Sequence, residues 1–233
     1  MVVLLAIDLL AMAYLLKSKA VKATFAEFPK PLAVQVAEES EAPNPAELRA
    51  KVIEAALIDA PIADPDTSEC LIEAHWRAHL VAQPSDALAW LELAILAYQC
   101  HKPDQAEALM HQSHRLDETN PVVLRNLCEL HRQQGRVAKA IRYGLQATEL
   151  VPKDELAHFN LAVALTDNKD VGNAITHYHR VIDINPYNTQ AWLVLAVLLV
   201  QQQRAPDALA ALDAVLLIDA GNAQALALKN QLG

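Results

Sequence analysis

Apolar residues in the C-terminal two thirds of the chain follow a helical spacing. From Pro121 to Gln134, and again from Ala138 to Val151, they recur near positions i, i+3, i+4 and i+7, which predicts two amphipathic helices. Gly135 lies between the two stretches and indicates where the first helix ends. The pattern therefore predicts a pair of packed helices joined by a short turn.

This helical pair recurs at a shift of 34 residues, in units 87–120, 121–154, 155–188 and 189–222. Three columns of the alignment each hold one kind of residue. They are leucine at the seventh position (Leu93, Leu127, Leu161, Leu195), small residues at the eighth (Ala94, Cys128, Ala162, Ala196) and alanine at the twentieth (Ala106, Ala140, Ala174, Ala208). Small side chains are needed where two helices cross within about 8–10 Å, so each unit is predicted to fold as two packed helices.

The units resemble the tetratricopeptide repeat (TPR) family, whose 34-residue units share these columns and often end with proline. The likeness is carried by Trp90, Leu93, Ala94, Ala106, Pro152 and Pro186. It implies an all-α fold, a right-handed superhelical solenoid of helix-turn-helix repeats. The chain departs from the family where Glu118 and Ala220 replace the terminal proline. It departs again between the helices, where His101, Lys169 and Gln203 replace glycine.

Further helices are predicted on both sides of the four units. Trp76 and Pro84 fall in register with the repeat, so residues 47–86 are predicted to form a degenerate first repeat. Its helices are expected over Ala46–Ile58 and Thr67–Ala82. Residues 223–233 start another first helix, which is expected to cap the array because a terminal unit otherwise exposes its apolar face.

The N-terminal segment has a different character. Fourteen of the fifteen residues from Val2 to Leu16 are apolar, Asp8 is the exception, and three lysines follow by residue 22. A helix over residues 2–22 would span about 31 Å, enough to cross a bilayer, so residues 1–22 are predicted to form a transmembrane anchor. Asp8 is expected to be either protonated or in contact with a polar group of a partner helix within the membrane. A cleaved signal peptide and a helix buried in a soluble assembly are the alternatives.

The lysines that follow the apolar segment predict its orientation. Positively charged flanks stay on the cytoplasmic side, so the repeats are expected to be cytoplasmic. Residues 23–46 come next, with Pro29, Pro31, Pro43 and Pro45 around a cluster of glutamates. Proline removes backbone donors and clustered carboxylates repel one another, so this stretch is predicted to be an extended linker.

In the TPR family the first helices of the repeats line a concave groove, and the resemblance places five positions of each unit there. The candidate protein-binding residues are Leu91, Ile95, Arg125, Asn126, Glu129, Arg132, Phe159, Asn160, Val163 and Leu193. Asn126 and Asn160 share one position, where a carboxamide can both donate to and accept from a peptide backbone. For the apolar members the alternative is packing in the chain's own core. Family members that bind chaperone tails carry a lysine where this chain has Leu91, so such a tail is not the expected ligand.

Charge and composition narrow the function. The chain has 19 Lys+Arg against 28 Asp+Glu, a net charge of −9, and such a field repels phosphate backbones, so no nucleic-acid partner is predicted. Five glycines among 233 residues are too few for a phosphate-binding loop. The sequence also contains no nucleotide-binding or nucleophile motif. Neither an enzyme nor a cofactor is predicted.

Two histidine pairs have helical spacing, namely His75 with His79 and His111 with His114. Metal binding needs both imidazoles on one face together with further ligands. His111 and His114 belong to a second helix, whose outer face is expected to be solvated. No metal site is predicted.

The expected function is that of a membrane-tethered adaptor or scaffold that binds a partner protein in its groove, in the assembly or stabilisation of a membrane complex. Two alternatives remain open at this point. One is a constitutive accessory subunit of a larger membrane complex, and the other is a periplasmic assembly factor of the cytochrome-maturation type.

Overall fold

A computed structural model describes residues 61–62 and 68–232. By internal contacts the chain divides into Met1–Ala60 and Pro61–Gly233, and the described residues belong to the second unit. The predicted anchor with Asp8, the linker and the first helix of the degenerate repeat lie outside the described residues. No helix within the described ranges is both long enough and apolar enough to cross a bilayer.

The described residues form ten helices and no strand, so the all-α class is confirmed for them. The helices are α1 (Ser68–Ala82), α2 (Ala87–Gln99), α3 (Pro103–Leu116), α4 (Pro121–Gln133), α5 (Val137–Leu150), α6 (Glu155–Asp167), α7 (Val171–Ile184), α8 (Thr189–Gln201), α9 (Ala205–Ile218) and α10 (Ala223–Leu232). Helices α2 and α3 belong to the first full unit, and each later unit contributes the next pair.

Each first helix begins at a capping residue that recurs every 34 positions. These residues are Asp86, Asn120, Asp154, Asn188 and Asn222. Each side-chain oxygen accepts hydrogen bonds from one or two backbone N–H groups of the first turn, at 2.8–3.4 Å. Those N–H groups have no partner within the helix, so the polar residue fixes where the helix starts.

The turn between the two helices of a unit is the same in all four units. Gly135 has φ +72°, and His101, Lys169 and Gln203 have φ of 57°, 62° and 59°. All four residues are thus in the left-handed region, which costs a non-glycine residue about 1–2 kcal/mol. The three departures from glycine therefore keep the turn geometry of the repeat at some cost in strain.

The three predicted columns form the core. Every residue of the leucine, small-residue and alanine columns is at most 1% exposed. Within each unit the two helices pack against each other, and each second helix also packs against the first helix of the next unit. This serial packing confirms a TPR-like helical solenoid, while the handedness of its superhelix stays a prediction.

Candidate protein-binding groove

Contacts between the first helices of neighbouring units indicate which side of the array is its inner face. Helix α4 packs directly against α6, whereas no two successive second helices pack in this way within residues 68–232. Side chains also link the first helices, as Tyr98 of α2 meets Gln133 of α4 and Arg132 of α4 meets Asp167 of α6. A solenoid curves toward the side on which its elements approach most closely, so the first helices line the inner face.

The middle of this face is a polar lattice centred on Arg132. Its guanidinium donates to both Glu129 carboxylate oxygens at 2.8 and 2.9 Å and to Asp167 at 3.2 Å. The Gln133 amide donates to Glu129 at 2.7 Å and to the Tyr98 hydroxyl. Burial acts to raise the pKa of Glu129, but the hydrogen bonds from Arg132 and Gln133 outweigh it and the pKa is lowered. Each charge in the lattice therefore has an opposite partner.

The two candidate asparagines differ in their bonding. The Asn160 amide donates to the backbone carbonyl of Arg125 at 3.4 Å, and Arg125 itself forms an ion pair with Asp154 at 2.9 Å. The Asn126 side chain is half-buried, and no hydrogen-bond partner for it is found among the described residues. Asn126 thus retains its full capacity to bond a peptide backbone, and Asn160 retains part of it.

The apolar candidates separate into core and surface. Leu91 is 4% exposed, so it belongs to the core and does not line a surface that a ligand could meet. Ile95, Phe159, Val163 and Leu193 are half-buried, and the Phe159 ring also packs edge-on against Tyr178 at 5.7 Å between ring centres. The apolar surface that a ligand could contact is therefore shorter at its N-terminal end than the candidate residues predict.

At its C-terminal end the inner face opens into a cleft between α8 and α10. Its lining is Leu193, Val194, Val197, Gln224, Ala227, Leu228 and Gln231. Val197 is 43% exposed there. Five of the lining residues are apolar and two are glutamines, so all of them are uncharged. The cleft therefore favours an apolar group.

A cluster of polar and aromatic residues lies between α3, α4 and α5, where the sequence predicted a solvated surface. His111 is only half-exposed, His131 is fully buried, and the His131 ring stacks on Tyr143 with 5.4 Å between centres and 11° between planes. His114 meets the same Tyr143 ring edge-on. Burial lowers the pKa of both His111 and His131, although Glu107 acts in the opposite direction. The expectation that the His111–His114 face of the helix is solvated is wrong.

A signal for this cluster is present in the sequence. Glu107 is at position 21 of its unit and lies 3.9 Å from His131, at position 11 of the next unit. The equivalent positions of the following units hold Ile141 with Leu165 and Ile175 with Leu199. The last two pairs belong to the apolar core. A polar pair in columns that are apolar in the later units marks the site, and spacing within a single helix does not reveal it.

His158 and His177 form a second histidine contact, between α6 and α7. Their Nδ1 atoms are 2.9 Å apart, and His158 Nε2 lies 3.1 Å from the carbonyl oxygen of Pro152. That carbonyl can only accept, so Nε2 of His158 carries the proton and its Nδ1 accepts from His177. Burial lowers the pKa of His177, with a further contribution from His158. The pair links the two helices of the third unit.

Stacked helical pairs with a capped start, a left-handed turn and an inner face of first helices define a helical-repeat protein of the TPR type. Residues 66–185, which are 120 of the 233 residues, match the family of the bacterial transcriptional activator domain, and the chain belongs to that family. Residues 165–232 match a tetratricopeptide repeat family. The two matches overlap at 165–185 and together span the four units, so both describe one continuous array.

Solved structures share this fold. YrrB, described as a TPR protein with an unusual peptide-binding site, is 19% identical over 86% of this chain and 98% of its own, with a TM-score of 0.60. MamA is 17% identical over 79% of this chain and 99% of its own, with a TM-score of 0.60. PilF of Pseudomonas aeruginosa is 22% identical over 78% and 83%, with a TM-score of 0.64. No curated protein sequence matches the chain. At these identities the likeness concerns the fold.

Proposed function

We propose that this protein is a membrane-tethered scaffold that binds an apolar segment of a partner protein along the inner face of its repeats. The observation that carries the proposal is the apolar surface from Phe159 and Val163 to the cleft of Leu193, Val194 and Val197. Apolar side chains left accessible in a concave surface are typical of a peptide or helix site. The peptide-binding site described for YrrB, which has the same fold, supports the same use of such a surface.

The proposed ligand has two parts, matched to the two parts of the face. An apolar side chain enters the cleft between α8 and α10, and the adjoining backbone meets the carboxamides of Asn126 and Asn160. The charges of Arg125, Glu129 and Arg132 are already paired within the chain. They therefore exclude a strongly charged ligand, because such a ligand would have to break existing ion pairs.

The cleft is tested by adding a charge to it. We expect Val197→Asp to abolish capture of the partner, since a carboxylate buried against an apolar ligand loses its hydration. Leu217→Asp is the matched control because Leu217, on the second helix of the same unit, is 89% exposed. The full-length protein is used as bait in detergent, and quantitative mass spectrometry compares the proteins captured by each variant. Equal capture by both variants would exclude the cleft.

The asparagines are tested separately. We expect Asn126→Ala to weaken binding of the identified partner peptide more than Asn160→Ala does, because Asn160 already uses an amide hydrogen for the Arg125 carbonyl. Isothermal titration calorimetry with that peptide measures both dissociation constants. The order of the two effects is the critical result, and the reverse order contradicts the assignment.

The tether is the predicted transmembrane helix of residues 1–22, with the repeats on the cytoplasmic side. Anchoring raises the local concentration of the array near a membrane partner without any new contact. An integral anchor is expected to resist carbonate extraction, and protease protection in intact cells reports which side the repeats occupy. Asp8→Leu is expected to keep the protein in the membrane but to lose a partner helix that contacts Asp8.

The binding measurement also separates the two alternative roles. A constitutive accessory subunit co-purifies in a fixed ratio whether or not Asn126 is intact, whereas a transient adaptor does not. A periplasmic assembly factor of the cytochrome-maturation type requires the opposite topology in the protease-protection experiment.

The family of the chain supports a second candidate, the protein-interaction module of a transcriptional regulator. The net charge of −9 disfavours direct contact with DNA, so the DNA-binding component would be the partner. In a mobility-shift assay the purified protein alone is expected to leave DNA unshifted. A shift that appears only with the captured partner would favour this candidate over the membrane scaffold.

A further inference from the structure

Three potential metal ligands meet between the first and second units, outside the inner face. Glu107 and His111 are four residues apart on α3, which places them on one side of that helix, and His131 faces them from the last turn of α4. His111 Nε2 is 3.7 Å and His131 Nδ1 is 3.9 Å from Glu107 Oε1. One ligand atom from each residue lies within 4.8 Å of the other two.

The state of His131 is the second observation. The side chain is fully buried, and neither ring nitrogen has a hydrogen-bond partner among the described residues. More than nine tenths of buried polar groups in proteins are hydrogen-bonded, and an orphaned one calls for an explanation such as an ion. An imidazole with a bare nitrogen directed at a carboxylate and a second imidazole has the form of a metal ligand.

The other units show that the fold does not need these residues. At the equivalent positions the next two contacts between units have Ile141 with Leu165 and Ile175 with Leu199, which belong to one apolar core or pack against it. An apolar pair therefore suffices to join two units, and the polar set between the first and second units has a purpose other than packing.

We propose that Glu107, His111 and His131 bind a divalent transition-metal ion of the Zn²⁺ type. Two imidazoles and one carboxylate are a ligand set that zinc accepts. Tetrahedral coordination with bonds of about 2.1 Å places ligand atoms about 3.4 Å apart, so the three side chains need to close by a few tenths of an ångström up to about 1.4 Å. The half-exposed His111 opens the site to solvent, which supplies the fourth ligand.

Glu107 is held in place by its neighbours. Gln134 donates to its Oε2 at 3.0 Å and Arg136 to its Oε1 at 2.5 Å. The Arg136 side chain is exposed and can turn to solvent when a cation reaches Oε1. Gln134 then remains as the group that orients the carboxylate.

The test measures zinc binding by the folded full-length protein, purified without a histidine tag and stripped with a chelator. Isothermal titration calorimetry and elemental analysis are expected to give one Zn²⁺ per chain. We expect His111→Gln and His131→Leu each to weaken binding by at least about tenfold, since even the loss of an outer partner of a ligand costs about 10- to 100-fold. His111→Gln is the safer variant because His111 is half-exposed, and circular dichroism checks the fold of both.

His179→Gln is the matched control. His179 occupies the position of His111 two units later, where the positions of Glu107 and His131 hold Ile175 and Leu199, and it is exposed. This variant is expected to bind zinc as the wild type does. Absence of zinc binding in the folded wild type overturns the proposal. An equal loss of zinc affinity in all three variants overturns it as well, and so does unchanged affinity in both His111→Gln and His131→Leu.

Discussion

The contact between the first and second units and the contact between the third and fourth units have the same backbone and opposite chemistry. Both are made by a second helix against the next first helix, after a left-handed turn and a polar cap. One contains Glu107 and His131, and the other contains Ile175 and Leu199. The repeat is thus specified by its small-residue and leucine columns, caps and turns, and the remaining positions are free to carry chemistry.

The inner face shows the same division. Around the second unit it is a lattice of paired charges, and toward the C-terminus it becomes an apolar cleft. The side chains at equivalent positions differ, as Asn126 of the second unit and Val194 of the fourth show. A ligand therefore encounters two environments along one continuous surface.

The largest expected effect on stability comes from placing a histidine in the apolar contact between the third and fourth units. The change is Leu199→His, which places in the fourth unit the residue that His131 provides in the second. An asparagine side chain would be too small to fill the space of Leu199. Leu199→His removes about 1.5–3 kcal/mol of apolar burial and leaves an imidazole without partners at about 1–3 kcal/mol. We expect a loss of about 3–5 kcal/mol in the free energy of unfolding, measured by urea denaturation.

Val197→His on the same helix is the control, since Val197 is exposed and its replacement is expected to cost far less. Equal unfolding midpoints for Leu199→His and the wild type would show that the apolar contact tolerates an imidazole without hydrogen-bond partners. The two contacts would then not differ in the stability that their side chains provide.

The reverse exchange is expected to stabilise the protein. In the presence of a chelator, His131→Leu removes an unpartnered imidazole and installs the residue that the next two units use. The gain is reduced by loss of stacking on Tyr143, which contributes about 0.5–1.5 kcal/mol, so a net gain of about 1–2 kcal/mol is expected. Thermal unfolding followed by circular dichroism measures it, and a lower melting temperature contradicts the account given for His131.

A smaller effect is expected at the turns. Gln203→Gly relieves left-handed strain of about 1–2 kcal/mol but adds about 0.5–1 kcal/mol of unfolded-state entropy, which leaves a gain of about 0.5–1 kcal/mol. Gly135→Ala is the mirror experiment and is expected to lose a similar amount, although a Cβ there meets no atom within 4 Å. Denaturant midpoints of the two variants should therefore shift in opposite directions.

The smallest effect is expected in the charge lattice of the inner face. The Arg132 and Asp167 side chains are 25% and 40% exposed, and partly solvated pairs contribute about 0.2–1 kcal/mol. A double-mutant cycle with Arg132→Ala and Asp167→Ala is expected to give a coupling energy in that range that decreases with added salt. A coupling well above 1 kcal/mol would make the lattice part of the stabilising core.

Periodicity and local chemistry predicted most of the fold from the amino acids alone. The 34-residue shift located the helical pairs because every unit repeats an apolar stripe and small residues where the helices cross. The backbone conformation of the turns was harder to predict from the sequence. His101, Lys169 and Gln203 adopt the glycine conformation because the packed helices on both sides impose it, and no local preference of these residues announces it.

The groove and the proposed metal site depend on which side chains from neighbouring helices meet. The spacing of residues within one helix carries little information about such contacts. Leu91 was expected on the groove and is in the core. Asn160 was expected to be available but donates to the Arg125 carbonyl of the preceding first helix. Glu107, His111 and His131 come from two helices of two units, so only their packing brings the three ligand atoms together. The spacing of residues along the sequence indicates which side chains share one face of a helix. The chemistry of a contact depends on the facing side chains of both helices, and only the tertiary structure brings these together.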